Sequence, residues 1–339
     1  MAKNMIQQTT TLNERDVVYL RAICDASLYH FIKIIGGYAN QGGDISSIIH
    51  RQLCDFSQNP AIKRKVIATP RNWRKSTCFS KWRAIWKYLK NNETRMLIAS
   101  ENMDIGTRFL DFMERQILNN ALLKMVYPEL REIDSTWTKK HRWSGSQAEL
   151  PRKGIYSEAT FTVIGVRGAA QSGHYTDIEI DDLVGDDAMT SLAVMEAIYR
   201  WFDNVPELLL SADPSVPDAS EVSIVGTFWS TADFLSYVRD KYPEYQFLIV
   251  PALKDETAID TENVKYIQHP QQGHWETNFP EHPDFSTQYY IDMQANPEKE
   301  LIFWSQHQNN PHMATALEKF DSNWFRYCHT EIREEEIFS

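Results

Sequence analysis

Thr69-Pro70-Arg71-Asn72-Trp73-Arg74-Lys75-Ser76-Thr77 is the stretch on which the reading of this chain turns. It follows the short apolar run Val66-Ile67-Ala68 and opens a helical pattern from Ser76 to Leu89. A strand, a tight loop ending in Lys-Ser and a helix form the layout of a phosphate-binding loop. That chemistry requires backbone N–H groups aimed into the loop, a lysine to reach the β- and γ-phosphates, and a hydroxyl for Mg²⁺. Lys75 and Ser76 supply the last two. The match to G-x-x-x-x-G-K-[ST] is incomplete, because Thr69 and Arg74 occupy the two glycine positions. Glycine there would permit unusual backbone angles and a close approach of phosphate. The competing reading of this stretch alone is the basic start of a solvated helix, so a partner downstream has to decide.

Asp177-Ile-Glu-Ile-Asp-Asp-Leu is that partner. Asp181 and Asp182 stand at the exit of an apolar strand. Asp181 would hold Mg²⁺ through water or the Ser76 hydroxyl, and Asp182 would orient or deprotonate an attacking water. The alternative for an Asp-Asp pair is a strand-end turn that caps a helix. Charge developing on a γ-phosphate calls for an arginine. Arg71 lies in the loop and would act in cis. Arg167, in the small-residue loop before the Asp-Asp strand, would reach a neighbouring subunit, and Arg74 is a third candidate. The sequence does not choose among them.

The 339 residues are 42% hydrophobic and 24% charged, enough for one large α/β domain and a smaller one. A net charge of -11 excludes a general polyanion binder, but the charge is unevenly spread. Residues 63–95 carry Lys63, Arg64, Lys65, Arg71, Arg74, Lys75, Lys81, Arg83, Lys87, Lys90 and Arg95 against the single acid Glu93. Such a face suits nucleotide phosphate or a DNA backbone, with a solvated helix face as the alternative. Lys139-Lys140-His141-Arg142-Trp143 mixes basic and aromatic groups, which fits a DNA contact or an exposed loop anchored by tryptophan. Cys24, Cys54, Cys78 and Cys328 are scattered without a C-x-x-C, which points to a reducing compartment. No signal-peptide core or membrane-spanning run is present, so a soluble intracellular protein is expected.

Asn13 is placed to cap an apolar-periodic helix from Val17 through Ile35, and Asp44 to Phe56 reads as a second helix carrying His50. Strands are expected at Lys65–Thr69, Arg95–Ser100, Thr160–Val166, Asp177–Leu183, Glu221–Thr227 and Tyr245–Pro251. Helices are expected at Asp104–Asn119, Met189–Phe202 and Ala232–Asp240, with Leu192, Met195, Ile198 and Phe202 as core. Residues 127–158 read as irregular. The alternation predicts an α/β fold with a mostly parallel sheet, and strands without apolar alternation predict burial on both faces. Polar composition after Lys254 suggests a domain over 1–255 and a small linker subdomain over 256–339.

Several pieces in order resemble the terminase large subunits of tailed bacteriophages. They are Pro70 to Thr77, Ser172-Gly173-His174 leading into Asp181-Asp182, and Ile224-Val225-Gly226-Thr227-Phe228-Trp229. In the tail they are Trp275 with Phe279-Pro280, Phe303-Trp304-Ser305-Gln306 through Asn309-Asn310-Pro311, and Phe320 with Trp324-Phe325-Arg326. The resemblance spans residues 45–330. It implies a P-loop ATPase of the ASCE type that drives double-stranded viral DNA into a procapsid, as a homo-oligomeric ring on a portal protein with a terminase small subunit, in the host cytoplasm. It implies ATP and Mg²⁺ as cofactors, with Arg71, Asn72, Trp73, Arg74, Lys75, Ser76 and Thr77 around the phosphates. Ser76 and Asp181 would serve the metal, Asp182 would be the catalytic acid, and Gly226-Thr227 would couple hydrolysis to movement.

The chain departs from the family pattern at Arg74, where glycine is usual, and at Asp182, where glutamate is usual. Phe228 and Ser230 replace a frequent Arg and His. The nuclease of the family would begin where residue 339 stands, so the ATPase portion is what is expected here. The alternatives are a degenerate phosphate loop that docks DNA or portal without turnover, and a helicase-like ATPase. The order of the tail motifs speaks against the latter.

Overall fold

The computed structural model describes residues 12–38, 45–166, 173–185, 189, 191–210 and 220–313. Its strands are β1 (Arg64–Ala68), β2 (Met96–Ser100), β3 (Gln147–Ala148), β4 (Phe161–Gly165), β5 (Asp177–Asp181), β6 (Glu221–Gly226), β7 (Gln246–Ile249) and β8 (Val264–Tyr266). They form one sheet in the order β3-β4-β2-β5-β6-β1-β7-β8. Every neighbour pair is parallel except β3 with β4. β2, β4, β5 and β6 are buried along their whole length, as the largely apolar runs of β2 and β4 predict, while β5 buries charged residues in alternation with Ile178 and Ile180.

Alternate residues of each strand enter different cores. Ile67, Met96, Ile98, Phe161 and Val163 pack on one face against α1 (Glu14–Ala26), α2 (Leu28–Ile35), α3 (Ile49–Gln58), α4 (Arg83–Lys90) and α5 (Met103–Asn119). Val66, Ala68, Leu97, Ala99, Ile178 and Ile180 pack on the other against α6 (Leu192–Asp203) and α7 (Phe234–Lys241). The result is an α/β sheet flanked by helices.

The structure corrects several local readings. Asn13 caps α1, reciprocated by Asp16, but the apolar run to Ile35 is two helices. Ser27 breaks it and caps the second, its hydroxyl accepting from the His30 N–H. Asp44 lies outside the described residues, and the helix expected there begins at Ile49, after Ser46 has accepted from the N–H groups of Ile48 and Ile49. Leu192 is 74% exposed rather than core, whereas Met195, Ile198 and Phe202 are buried. Residues 127–158 contain the edge strand β3, too short to show a periodicity. β8 lies beyond Asp255 and still pairs with β7, so the sheet runs across the boundary expected at 255/256. Cys24, Cys54 and Cys78 are free and buried, and Cys328 lies outside the described residues.

The basic stretch 63–95 does not present one charged face. Lys65 and Arg83 are buried, and Lys87 is nearly so. Arg83 pairs with Glu179 at 2.7 Å and with Glu221, Lys65 pairs with Glu221 at 3.1 Å, and Lys87 pairs with Asp177 and with Glu221. Asp177 and Glu221 open β5 and β6, so this network fills the amino-terminal edge of the sheet. Burial would raise the Glu221 carboxyl, but Arg83, Lys87 and Lys65 hold it down at about 2. Burial pushes Glu179 up to about 8 despite Arg83. Removing one member of such a network strands buried charge. Arg83→Met is therefore expected to lower unfolding stability by about 3–5 kcal/mol in urea titration. A loss below about 1 kcal/mol would show that the network adds little to stability.

Candidate functional site

β1 ends at Ala68, and residues 69–75 turn across the carboxyl edge of the sheet. The helix that leaves this loop starts as a π-helix, Ser76–Trp82, before α4 continues it. Such wide turns are rare and concentrate at functional sites. Asn72 and Arg74 have φ values of 68° and 55°. Arg74 thus takes the left-handed backbone that glycine would adopt freely, and which costs other residues roughly 1–2 kcal/mol.

Contacts from outside hold the loop there. Thr69 N–H donates to the Gly226 carbonyl at 3.3 Å, and Arg71 N–H to the Gln306 carbonyl at 3.1 Å. The Trp73 indole N–H donates to the Tyr290 hydroxyl at 2.8 Å, and its ring meets Phe279 edge-on at 5.1 Å. His50 completes the hold. Its Nδ1 accepts from the Ser46 N–H, so Nε2 carries the proton and donates to the Trp73 carbonyl at 3.0 Å. Burial pushes the His50 ring down to about 4, which keeps it neutral in this role. The Trp73 side chain is therefore a buried anchor behind the loop, while Arg71 and Asn72 are exposed on it and Thr77 is half-buried.

Opposite the loop, β5 ends at Asp181, with β6 lying between β5 and β1. Lys75 reaches across, its Nζ 2.9 Å from Asp182 Oδ2. Asp181 is buried and accepts hydrogen bonds from the hydroxyls of Ser80, at 3.1 Å, and Ser76. Burial raises the Asp181 carboxyl to about 7, and the Asp182 charge adds to this, against Lys75 and the two hydroxyls. Ser80, which no sequence motif marks, is brought to Asp181 by the π-turn that follows Lys75. Two hydroxyls and a carboxylate make a hard oxygen set that fits Mg²⁺ completed by phosphate and water.

Arg71, Glu101, Asp182, Thr227 and Trp229 line one cleft of about 400 Å³. The Arg71 guanidinium lies 4.9 Å from the Trp229 ring centroid, at the mouth of the site. Arg74 instead lies over Tyr38, at 5.4 Å. Arg167 falls outside the described residues, as do Phe320 and Trp324 to Arg326. Gly226 lies beside the acid pair, where a Cβ would touch Leu235 at 3.4 Å and Asp182 Oδ1 at 3.5 Å, both ordinary contacts. Glu101, directly after β2, escaped the sequence reading because no motif marks it.

The segment 306–309 ties together the chain that leaves β1, β6 and β7. The His307 carbonyl accepts from Ala252 N–H at 3.0 Å, and the Gln308 amide bonds both main-chain groups of Leu253. Asn309 accepts from Phe228 N–H at 3.3 Å and donates to the Val250 carbonyl at 2.9 Å. Among the basic and aromatic residues at 139–143, Lys139, Lys140, His141 and Arg142 are exposed. Trp137 stacks on His141 with centroids 3.6 Å apart and is tied to the Glu149 carbonyl. No protein-family model and no curated protein sequence matches this chain.

The left-handed turn yields a comparison that cancels the loss of the Arg74 side chain. Arg74→Val should be less stable than Arg74→Gly by about 1–2 kcal/mol, because a β-branched residue strains that backbone most. Equal melting of the two variants would mean that the loop does not need the left-handed residue.

Proposed function

We propose that this chain is a Mg²⁺-dependent ATPase of the P-loop, ASCE type, and that it serves as the motor portion of a viral terminase large subunit. One observation carries the reading. A lysine at the start of a helix and an acid pair at the end of a non-adjacent strand meet at one edge of a parallel sheet, with Lys75 on Asp182 and Ser76 and Ser80 on Asp181. The strand inserted between them, β6, is the arrangement expected of the ASCE type, and it carries Gly226 at its exit beside Asp182.

The residues divide the work by position. N–H groups of the loop and Lys75 would bind the β- and γ-phosphates, which compete with Asp182 for the lysine. Ser76 and Asp181 would hold Mg²⁺, which when bound neutralises charge on those phosphates. Asp182, released from Lys75, would orient the attacking water. Arg71 at the cleft mouth would stabilise charge on the γ-phosphate, with Arg167 as the candidate from a neighbouring copy. Thr227 faces the same cleft and would sense whether the γ-phosphate is present.

The order of sequence motifs, rather than any contact, supports the wider role. In that role the partners are double-stranded viral DNA, a portal protein, a terminase small subunit and further copies of this chain in a ring, in the host cytoplasm. Among the described residues no helix is long and apolar enough to cross a membrane.

Phosphate release from ATP, with Mg²⁺ and with or without DNA, tests the reading. Lys75→Ala and Asp182→Asn should each lose at least about a hundredfold in turnover. Turnover by both purified variants at the wild-type rate would refute it.

A further inference from the structure

The resemblance leaves a deficit at the acid that handles the water. Asp182 is a methylene shorter than the usual glutamate, and its carboxylate is drawn to Lys75. A second carboxylate stands beside it. β2 and β5 are adjacent and in register, with Ser100 opposite Asp181. The next residues, Glu101 and Asp182, therefore leave neighbouring strands side by side at the carboxyl edge. Both line the cleft that also holds Arg71 and Thr227.

Gly185 adds an independent observation. Its backbone does not lie in the left-handed region, so conformation does not require a glycine there. Space does. A Cβ at residue 185 would sit 2.5 Å from Glu101 Cδ and closer still to a carboxylate oxygen. The loop after the acid pair thus leaves its side chain out where the Glu101 carboxylate rests.

We propose that Glu101 is a catalytic residue, the base that accepts the proton of the attacking water, while Asp182 orients that water. The inference rests on the ATPase reading above. In the step, the water oxygen bonds to the γ-phosphorus as the bond from phosphorus to the β,γ-bridging oxygen breaks. The electron pair of that bond leaves on ADP. The water proton passes to a Glu101 carboxylate oxygen and later to solvent, giving ADP and inorganic phosphate. The extra methylene of Glu101 supplies the reach that Asp182 lacks, and Arg71 lines the same cleft as the cation for the γ-phosphate.

Steady-state ATP hydrolysis with Mg²⁺ and DNA, run beside equilibrium binding of a fluorescent ADP analogue, tests this. Glu101→Gln preserves size and should lower kcat roughly a hundredfold. Its KM for ATP and its affinity for the analogue should stay within about threefold of the wild type. Gly185→Ala, which displaces only the flexible end of Glu101, should lower kcat about tenfold with binding again retained. A merely structural role for Glu101 would instead weaken binding and lower the melting temperature along with kcat. That pattern, or wild-type kcat in Glu101→Gln, overturns the proposal and leaves the ATPase reading standing. Absence of turnover by the wild type itself overturns the ATPase reading, and the role of Glu101 falls with it.

Discussion

The left-handed turn at Arg74 is the constraint around which the carboxyl edge of the sheet is built. A glycine would take that backbone unaided. An arginine does not, so the conformation has to be imposed by contacts made before and behind it. His50 on α3, Tyr290 on α8 (Thr287–Ala295) and Gln306 all bond the loop between Arg71 and Trp73. Segments far apart in sequence therefore converge on a few peptide units. The buried Trp73 makes this possible, because its carbonyl bonds His50 on α3 while its indole meets the aromatic cluster of Phe279, Phe285 and Tyr290.

The opposite edge solves a different problem. Charged side chains enter a largely buried space, and they persist there because each cation meets an acid on β5 or β6. Arg83 and Lys87 belong to the same helix that begins at Ser76. One helix thus carries hydroxyls toward Asp181 at one edge of the sheet and cations toward Asp177 and Glu221 at the other. Its axial position is fixed at both ends by side chains of β5, and the hydroxyl geometry at Asp181 inherits that rigidity.

Much of this was legible in the sequence. Short runs rich in apolar and β-branched residues marked the main strands, and Lys75-Ser76 with Asp181-Asp182 gave the residues that meet. What remained hidden was of three kinds. Very short strands such as β3 and β8 have no period to detect. The fate of Arg83 and Lys87 depended on acids about a hundred residues later, so charge counting along the chain placed them on a surface they do not occupy. Ser80 and Glu101 belong to the site through a π-turn and a strand register, neither of which one-dimensional spacing discloses. Leu192 shows the converse, a residue in phase with its helix's buried face but one turn too early to be covered.

The segment 306–309 touches the exits of β1, β6 and β7 at once. Mechanically it is a clasp. Tension on the chain after Asn310 would load these hydrogen bonds side by side rather than one after another, so they would share the force. A pull would then register at residues 69–75 as a small collective strain before any single bond gave way.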